Sequence, residues 1–189
     1  GGGKGAYELG VWKALDELKL TKYITVFSGT SIGAFNSVLF AMNDMKKADE
    51  LWEEVTMDKL VPISKSELIK RGIGLYIGGK NLQLAKKFLN YKLEHGAIAN
   101  DGAIEVVEKY LDFNKIKENN KICYAACTKL SDFSAKYFKI NDFDEETGKK
   151  IVLASASLPL IYDCTEVLGE KYIDGGIADN IPIQPVYGE

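Results

Sequence analysis

The sequence predicts an α/β fold in which a mostly parallel central sheet is flanked by helices. Strand-like and helix-like segments alternate along the chain, which is typical of this class. The clearest case is a β-branched and aromatic run at residues 23–27, which passes through Ser28-Gly29 into an apolar helical run at residues 32–40. A chain of 189 residues with 46% hydrophobic residues buries one sizeable core, so we expect a single domain over residues 1–189.

The other predicted elements follow in chain order. Apolar residues at helical spacing predict helices at residues 6–18, 45–55, 66–93, 101–111 and 144–155. An apolar, glycine-containing segment at residues 71–80 interrupts the third of these. Strands are predicted at residues 121–128 and 134–140, and a short hairpin at residues 165–173 turns at Gly169-Glu170. The hairpin runs directly into Asp174.

The charge of the chain disfavours proteins that bind nucleic acid or read phosphate groups. The formal net charge is −3, and Arg71 is the only arginine. A broad basic face and the bidentate arginine clamps typical of phosphate recognition are therefore not expected. We predict no nucleic-acid partner.

The cysteines and the single histidine indicate neither a disulfide scaffold nor a metal site. Cys123, Cys127 and Cys164 are odd in number and unevenly spaced, so we interpret them as buried thiols. Cys123 and Cys127 are four apart in a predicted strand and should face the same side of the sheet. With His95 as the only histidine, we expect no metal and no cofactor.

The sequence contains no apolar stretch of about 20 residues, the length that a membrane-spanning helix needs. We therefore expect a soluble protein that is cytoplasmic or peripheral to a membrane.

Gly29-Thr30-Ser31-Ile32-Gly33 matches G-x-S-x-G, the nucleophile elbow, and lies between a predicted strand and a predicted helix as that motif requires. Its glycines permit a tight bend that exposes the serine hydroxyl. The following helix offers N–H groups and its positive dipole end to an oxyanion. The alternative is an ordinary glycine-rich turn between a strand and a helix.

The glycine run Gly1-Gly2-Gly3-Lys4-Gly5 precedes a predicted helix, so its bare N–H groups suit an anion. Two functions share this physics: an oxyanion hole and a phosphate cradle. The spacing of a nucleotide-binding P-loop is missing, which favours an oxyanion hole at Gly1, Gly2 and Gly3. A purely structural turn remains open.

A serine nucleophile needs a base, and His95 is a poor candidate because it lies in a polar stretch and precedes the later carboxylates. Asp174-Gly175-Gly176 follows a predicted strand and would place a carboxylate at a sheet edge, on a turn with room around it. An ordinary turn aspartate is the alternative interpretation.

Taken together, the glycine run, the G-x-S-x-G elbow and the downstream Asp174-Gly175-Gly176 triplet resemble the patatin-like phospholipase family. The run Ala154-Ser155-Ala156-Ser157-Leu158-Pro159 before the final hairpin adds to the resemblance, which spans nearly the whole chain. The family's glycine run normally follows a buried strand, and the family continues into further strands. We therefore expect residues 1–189 to be a partial patatin-like catalytic domain.

The resemblance implies a three-layer fold and a Ser31–Asp174 dyad without histidine, which cleaves fatty-acyl esters of phospholipids or lysophospholipids. The oxyanion hole would be Gly1 to Gly3, and Lys4 would either contact the head group or lie at the surface. Residues 73–77 would be either a flap that meets a lipid surface transiently or, as base rates favour, a core-packed turn.

Three other functions remain open at this stage. An acyltransferase or thioesterase would use the same site with a different acyl acceptor. A non-catalytic lipid-binding module would bind lipid without cleaving it. A nucleotide-binding protein would use the glycine run of residues 1–5 as its phosphate loop.

Overall fold

The computed structural model describes residues 4–55, 100–158 and 162–189, and it confirms the α/β class with helices flanking a central sheet. The predicted helix at residues 66–93, with the segment at 71–80, lies outside the described residues. The described helices are α1 (Gly5–Glu17), α2 (Ile32–Ala41), α3 (Met45–Glu54), α4 (Asp101–Tyr110), α5 (Phe113–Glu118) and α6 (Glu145–Ser155). The strands are β1 (Val26–Thr30), β2 (Ile122–Lys129), β3 (Ala135–Lys139), β4 (Thr165–Val167) and β5 (Glu170–Asp174).

Strand β2 is the centre of the sheet and pairs with three other strands. It is parallel to β1 and antiparallel to β3 and β5, while β4 pairs antiparallel with β5. Among the described strands, the expected predominance of parallel pairing is therefore not seen. Short turns join β2 to β3 and β4 to β5, and strands joined by such turns must run antiparallel. The one parallel pair, β1 and β2, is the pair that leads into the predicted elbow.

The first strand begins three residues later than the sequence predicted. Residues Thr21–Tyr23 form a 3₁₀ turn, and the Thr21 hydroxyl donates to Asp16 Oδ1 at 2.8 Å. Pairing with β2 starts only at Val26, opposite Ile122, and continues to Thr30. A strand is defined by its partner, and β-propensity within residues 23–27 does not reveal where the partner begins.

Helices α2 and α6 cover one face of β2. The thiol of Cys123 lies 3.4 Å from the carbonyl oxygen of Ser37 on α2, and the Cys127 thiol lies 3.6 Å from that of Ile151 on α6. Both thiols are buried, as predicted, and burial raises their pKa. Cys164 is half-buried. Of the three layers expected, the described residues include the sheet and the helical layer formed by α2 and α6. A 3₁₀ turn at Gly175–Ile177 also packs against β2.

Helix α2 is buried on nearly every side, as expected of a helix that is apolar all round. Helix α1 packs on it: the Trp12 ring stacks on Phe40, with ring centroids 5.1 Å apart. Nowhere in residues 4–55, 100–158 and 162–189 does a helix have both the length and the apolar character needed to cross a membrane.

Candidate active site

The sheet brings the end of β1 to the end of β5. Strand β3 occupies one edge of β2 along residues 124–128, so β1 and β5 must both use the opposite edge. Strand β1 pairs there up to Ala126 and β5 pairs from Cys127 onward, in opposite directions. The two strands therefore meet head to head, and Ser31, just past β1, lies beside Asp174, the last residue of β5.

Ser31 occupies a strained turn between β1 and α2. Its backbone has φ 58° and ψ −126°, a left-handed conformation that non-glycine residues adopt rarely. The tight bend requires Gly29, because a Cβ there would lie 2.0 Å from the carbonyl oxygen of Gly33. The strand, the sharp turn and the helix predicted around Ser31 are thus present.

Gly33 differs from the expectation for an elbow glycine. A Cβ on Gly33 would meet no described heavy atom within 4 Å, so no steric need for glycine is visible there. What the bend does use is the Gly33 carbonyl group, against which Gly29 packs. An added Cβ on Gly33 would enter space that no described atom fills, whereas the Gly33 carbonyl oxygen lies close to Gly29.

Asp174 is buried, with 2% of its surface exposed, and this corrects the expectation of a turn residue with room around it. The residue belongs to β5 and pairs with Cys127, so the sheet and its neighbours enclose the carboxylate. Its backbone N–H donates to the carbonyl of Ser157 at 2.9 Å, and its carbonyl accepts from the Thr128 hydroxyl at 2.8 Å.

The two carboxylate oxygens of Asp174 have different surroundings. Oδ1 accepts a hydrogen bond of 2.8 Å from the Gly176 N–H, whereas Oδ2 is buried and has no hydrogen-bond partner among the described residues. Burial raises the pKa of Asp174 to about 6, and the Ser31 hydroxyl and the Gly176 N–H oppose that rise. The Ser31 hydroxyl therefore lies near enough to the carboxylate to stabilise its charged form.

The two glycines after Asp174 permit close packing. A Cβ on Gly175 would lie 2.1 Å from the carbonyl oxygen of Ala126, so only glycine fits between β2 and the turn. A Cβ on Gly176 would lie 3.0 Å from Asp174 Oδ1, the oxygen that the Gly176 N–H binds. Both glycines thus keep the segment after β5 close to the carboxylate.

A buried asparagine, Asn36, ties the start of α1 to α2, and sequence analysis did not single it out. Its side-chain amide donates to the Gly5 carbonyl at 3.1 Å and to Glu8 Oε2 at 2.7 Å, and its oxygen accepts from the Trp52 indole at 3.1 Å. The sequence did contain a signal for this residue: an asparagine in an apolar helical run is expected to be buried, and a buried amide must find hydrogen-bond partners. The glycine run is thereby anchored at Gly5, beside the helix that begins after Ser31.

Several predicted site residues have no described placement. Gly1, Gly2 and Gly3, the segment at residues 73–77 and His95 lie outside the described residues. Lys4 is described as an exposed residue at the start of α1.

A sequence model of the patatin-like phospholipase family matches residues 1–187, nearly the whole chain. No curated protein sequence matches. Among solved structures, VipD from Legionella pneumophila has a similar fold, with a TM-score of 0.60 and 18% sequence identity, over 96% of this chain and 45% of VipD. The chain thus spans less than half the length of VipD, and at this identity the likeness supports the fold alone.

The fold is α/β, with the helices and sheet arranged as in patatin-like proteins. On the extent of the family match, the chain belongs to the patatin-like phospholipase family.

Proposed function

We propose that this chain is a lipid acyl hydrolase that cleaves fatty-acyl esters of phospholipids or lysophospholipids, with Ser31 as nucleophile and Asp174 as base. The observation that carries the proposal is the head-to-head meeting of β1 and β5 on one edge of β2, which sets Ser31 beside a buried carboxylate. A serine in a strained strand-to-helix turn next to a base is the arrangement that acyl transfer requires.

Asp174 Oδ2 is the oxygen suited to accept the proton. Because Oδ1 is held by the Gly176 N–H, the carboxylate has a fixed orientation, and Oδ2 keeps a free lone pair in the interior. An aspartate in water, with its ordinary pKa of 3.8, would be a weak base, and burial strengthens it by raising that pKa to about 6. A base of this strength works without a histidine.

The reaction then proceeds through an acyl-enzyme. Ser31 Oγ bonds to the ester carbonyl carbon as its proton moves to Asp174 Oδ2, and the carbonyl oxygen becomes an oxyanion. The tetrahedral intermediate collapses: its bond to the leaving alcohol breaks, and that alcohol takes the proton from Asp174. A water molecule, deprotonated by Asp174, then attacks the acyl carbon; the bond to Ser31 Oγ breaks, Ser31 takes the proton from Asp174, and the fatty acid leaves.

The oxyanion is assigned to the N–H groups of Gly1 to Gly3. Support comes from the anchoring of Gly5 by Asn36, which holds the end of this run against the nucleophile helix. The positive end of the α2 dipole, directly after Ser31, favours the same charge. Lys4 at the end of the run is exposed and suited to a phospholipid head group. A transient contact of residues 73–77 with a lipid surface stays a prediction from the sequence, beside the alternative of a core-packed turn.

The dependence of kcat/KM on pH is expected to show an acid limb near pH 6. Only the ionised Asp174 accepts a proton, so kcat/KM should fall about tenfold for each pH unit below about 6. Hydrolysis of a p-nitrophenyl acyl ester between pH 4.5 and 8, in buffers of constant ionic strength, measures the limb. A limb near pH 4 would contradict a buried Asp174 base.

The proposed activity is tested on lipid substrates directly. Purified protein is incubated with phospholipid or lysophospholipid in mixed micelles, and released fatty acid is measured with and without prior treatment by a fluorophosphonate. We expect fatty acid release that disappears as the probe labels Ser31, located by peptide mass spectrometry. Added alcohol or thiol acceptors reveal an acyltransferase if acyl transfer to them exceeds hydrolysis. Lipid binding without any turnover would refute the hydrolase proposal.

A further inference from the structure

The segment Ser155 to Ser157, at the carboxyl end of α6, contacts the backbone on both sides of the candidate site. The Ser31 N–H donates to Ser155 Oγ at 3.0 Å, and the Asp174 N–H donates to the Ser157 carbonyl oxygen at 2.9 Å. Ser31 and Asp174 are far apart in sequence, yet residues only two apart on this one segment bind both of them. The segment therefore constrains the spacing between the two.

Ser155 is fully buried, and its hydroxyl makes two hydrogen bonds. It accepts from the Ser31 N–H and donates its single proton to the carbonyl oxygen of Ala126 at 2.6 Å. Ala126 pairs with Thr30 at the end of β1 and lies one residue before Cys127, the partner of Asp174. The hydroxyl thus links the strained turn to the point on β2 where the two strands meet.

We propose that Ser155 is a positioning residue that holds the Ser31 turn against Asp174 through the bridge from the Ser31 N–H to the Ala126 carbonyl. The inference rests on the proposed function of Ser31 and Asp174 and extends it. Ser31 has a positive φ, a conformation that persists only where its surroundings enforce it. The hydrogen bond from the Ser31 N–H to Ser155 acts on the peptide group of the strained residue itself and stabilises its positive φ.

The same bridge assigns the Ser31 N–H a structural role. An N–H that already donates to Ser155 Oγ is not free to donate to a reaction oxyanion. The oxyanion donors must therefore come from elsewhere, which agrees with their assignment to the glycine run.

Kinetics of Ser155→Ala test the proposal. Loss of the bridge leaves the Ser31 N–H and the Ala126 carbonyl without their shared partner, and the turn is free to shift. Because a displacement of about 1 Å near the chemistry costs about 10²-fold in rate, we expect kcat to fall about 10- to 100-fold with KM changed less than threefold. The rate of Ser31 labelling by a fluorophosphonate should fall by a similar factor.

The matched control is Thr21→Ala. Thr21 is also a buried residue whose hydroxyl donates a hydrogen bond, to Asp16 Oδ1 at 2.8 Å, but it lies before β1, at the end of that strand opposite to Ser31. Both alanine variants are expected to lower the thermal unfolding midpoint, because each removes a buried hydroxyl that makes a hydrogen bond. Only Ser155→Ala should lose kcat at a temperature where both are folded. Ser155→Cys, nearly the same size with a weaker donor, should have an intermediate kcat and serves if Ser155→Ala does not fold.

The outcomes separate this inference from the proposed function. Hydrolysis that depends on Ser31 but is unchanged in Ser155→Ala, or reduced equally in Thr21→Ala, overturns the positioning role alone. Hydrolysis that does not depend on Ser31 overturns the proposed function and this inference with it.

Discussion

Replacing Ser31 by alanine is expected to lower kcat for acyl-ester hydrolysis by at least about 10³-fold, because no acyl-enzyme can form without the hydroxyl. The substitution removes one oxygen atom and keeps the Cβ, so the fold should persist. Circular dichroism and the thermal unfolding midpoint check the fold, and fatty acid release checks the activity. Turnover that persists in this variant would mean that another group is the nucleophile.

The matched control for this substitution is Ser28→Ala, three residues earlier on β1. The Ser28 hydroxyl is buried and has no hydrogen-bond partner among the described residues, so its removal breaks no described hydrogen bond. Hydrolysis should remain within about twofold of the parent, since Ser28 lies on the strand and away from the turn. A comparable loss in both variants would indicate damage to β1 instead of loss of a nucleophile.

Glycine at position 31 gives a second check on the strained turn. A left-handed backbone costs a non-glycine residue about 1 kcal/mol or more, and glycine adopts it freely. Ser31→Gly should therefore be inactive but unfold with a free energy about 1 kcal/mol higher than Ser31→Ala, measured by urea denaturation. Equal stabilities would contradict the strain assigned to Ser31.

Asp174→Asn is expected to lower kcat by two or more orders of magnitude, because the amide keeps the shape of the side chain but cannot accept the Ser31 proton. The asparagine oxygen can still accept from the Gly176 N–H, so the segment after β5 should remain in place. Asp132→Asn is the control for charge, since Asp132 is an exposed residue in the β2–β3 turn. The kcat of Asp132→Asn should equal that of the parent.

The variant His95→Ala, measured together with Asp174→Asn, tests whether a histidine takes part in catalysis. We expect it to leave kcat within about threefold of the parent. A Ser–Asp dyad and a triad predict opposite results for these variants. If His95→Ala is as damaging as Ser31→Ala and Asp174→Asn is mild, the dyad must be withdrawn.

The ionisation of Asp174 should also make the stability of the protein depend on pH. The native state raises the pKa of Asp174 from its ordinary 3.8 to about 6, so between these values it binds more protons than the unfolded chain does. Stability is therefore fully present below pH 4 and is lost as the pH rises through 6, by about 3 kcal/mol in total. The unfolding free energy of the parent relative to Asp174→Asn should fall by about that amount between pH 3.5 and 7. A flat difference would contradict a buried carboxylate whose pKa is raised in the native state.

Local patterns in the sequence were enough to predict the units from which the site is built. Helix α2, strands β2 and β3 and the β4–β5 hairpin follow from short-range preferences, namely apolar periodicity, β-branched runs and turn residues. The turn at Ser31 was also predictable, because a glycine that permits a close backbone approach and a serine at its centre leave a local signature. Neighbouring residues determine such features.

The relation between these units was decided by tertiary structure. No local pattern specifies that β1 and β5 share one edge of β2, since that pairing joins residues far apart in the chain. The burial of Asp174 follows from this pairing, and so does the rise of its pKa; from the sequence alone the residue was expected on an open turn. The strength of Asp174 as a base therefore depends on the strand pairing that buries it.

The contacts of Ser155 and Asn36 depend on tertiary structure in the same way. A serine at the end of a helix and an asparagine within one have many possible partners, and sequence does not select among them. Packing of α6 against β2 brings Ser155 to the Ser31 N–H, and packing of α1 and α3 on α2 brings Gly5 and Trp52 to Asn36. Sequence determined which groups were present for chemistry, whereas long-range packing decided which of them met, because a hydrogen bond depends on distances that only the folded chain sets.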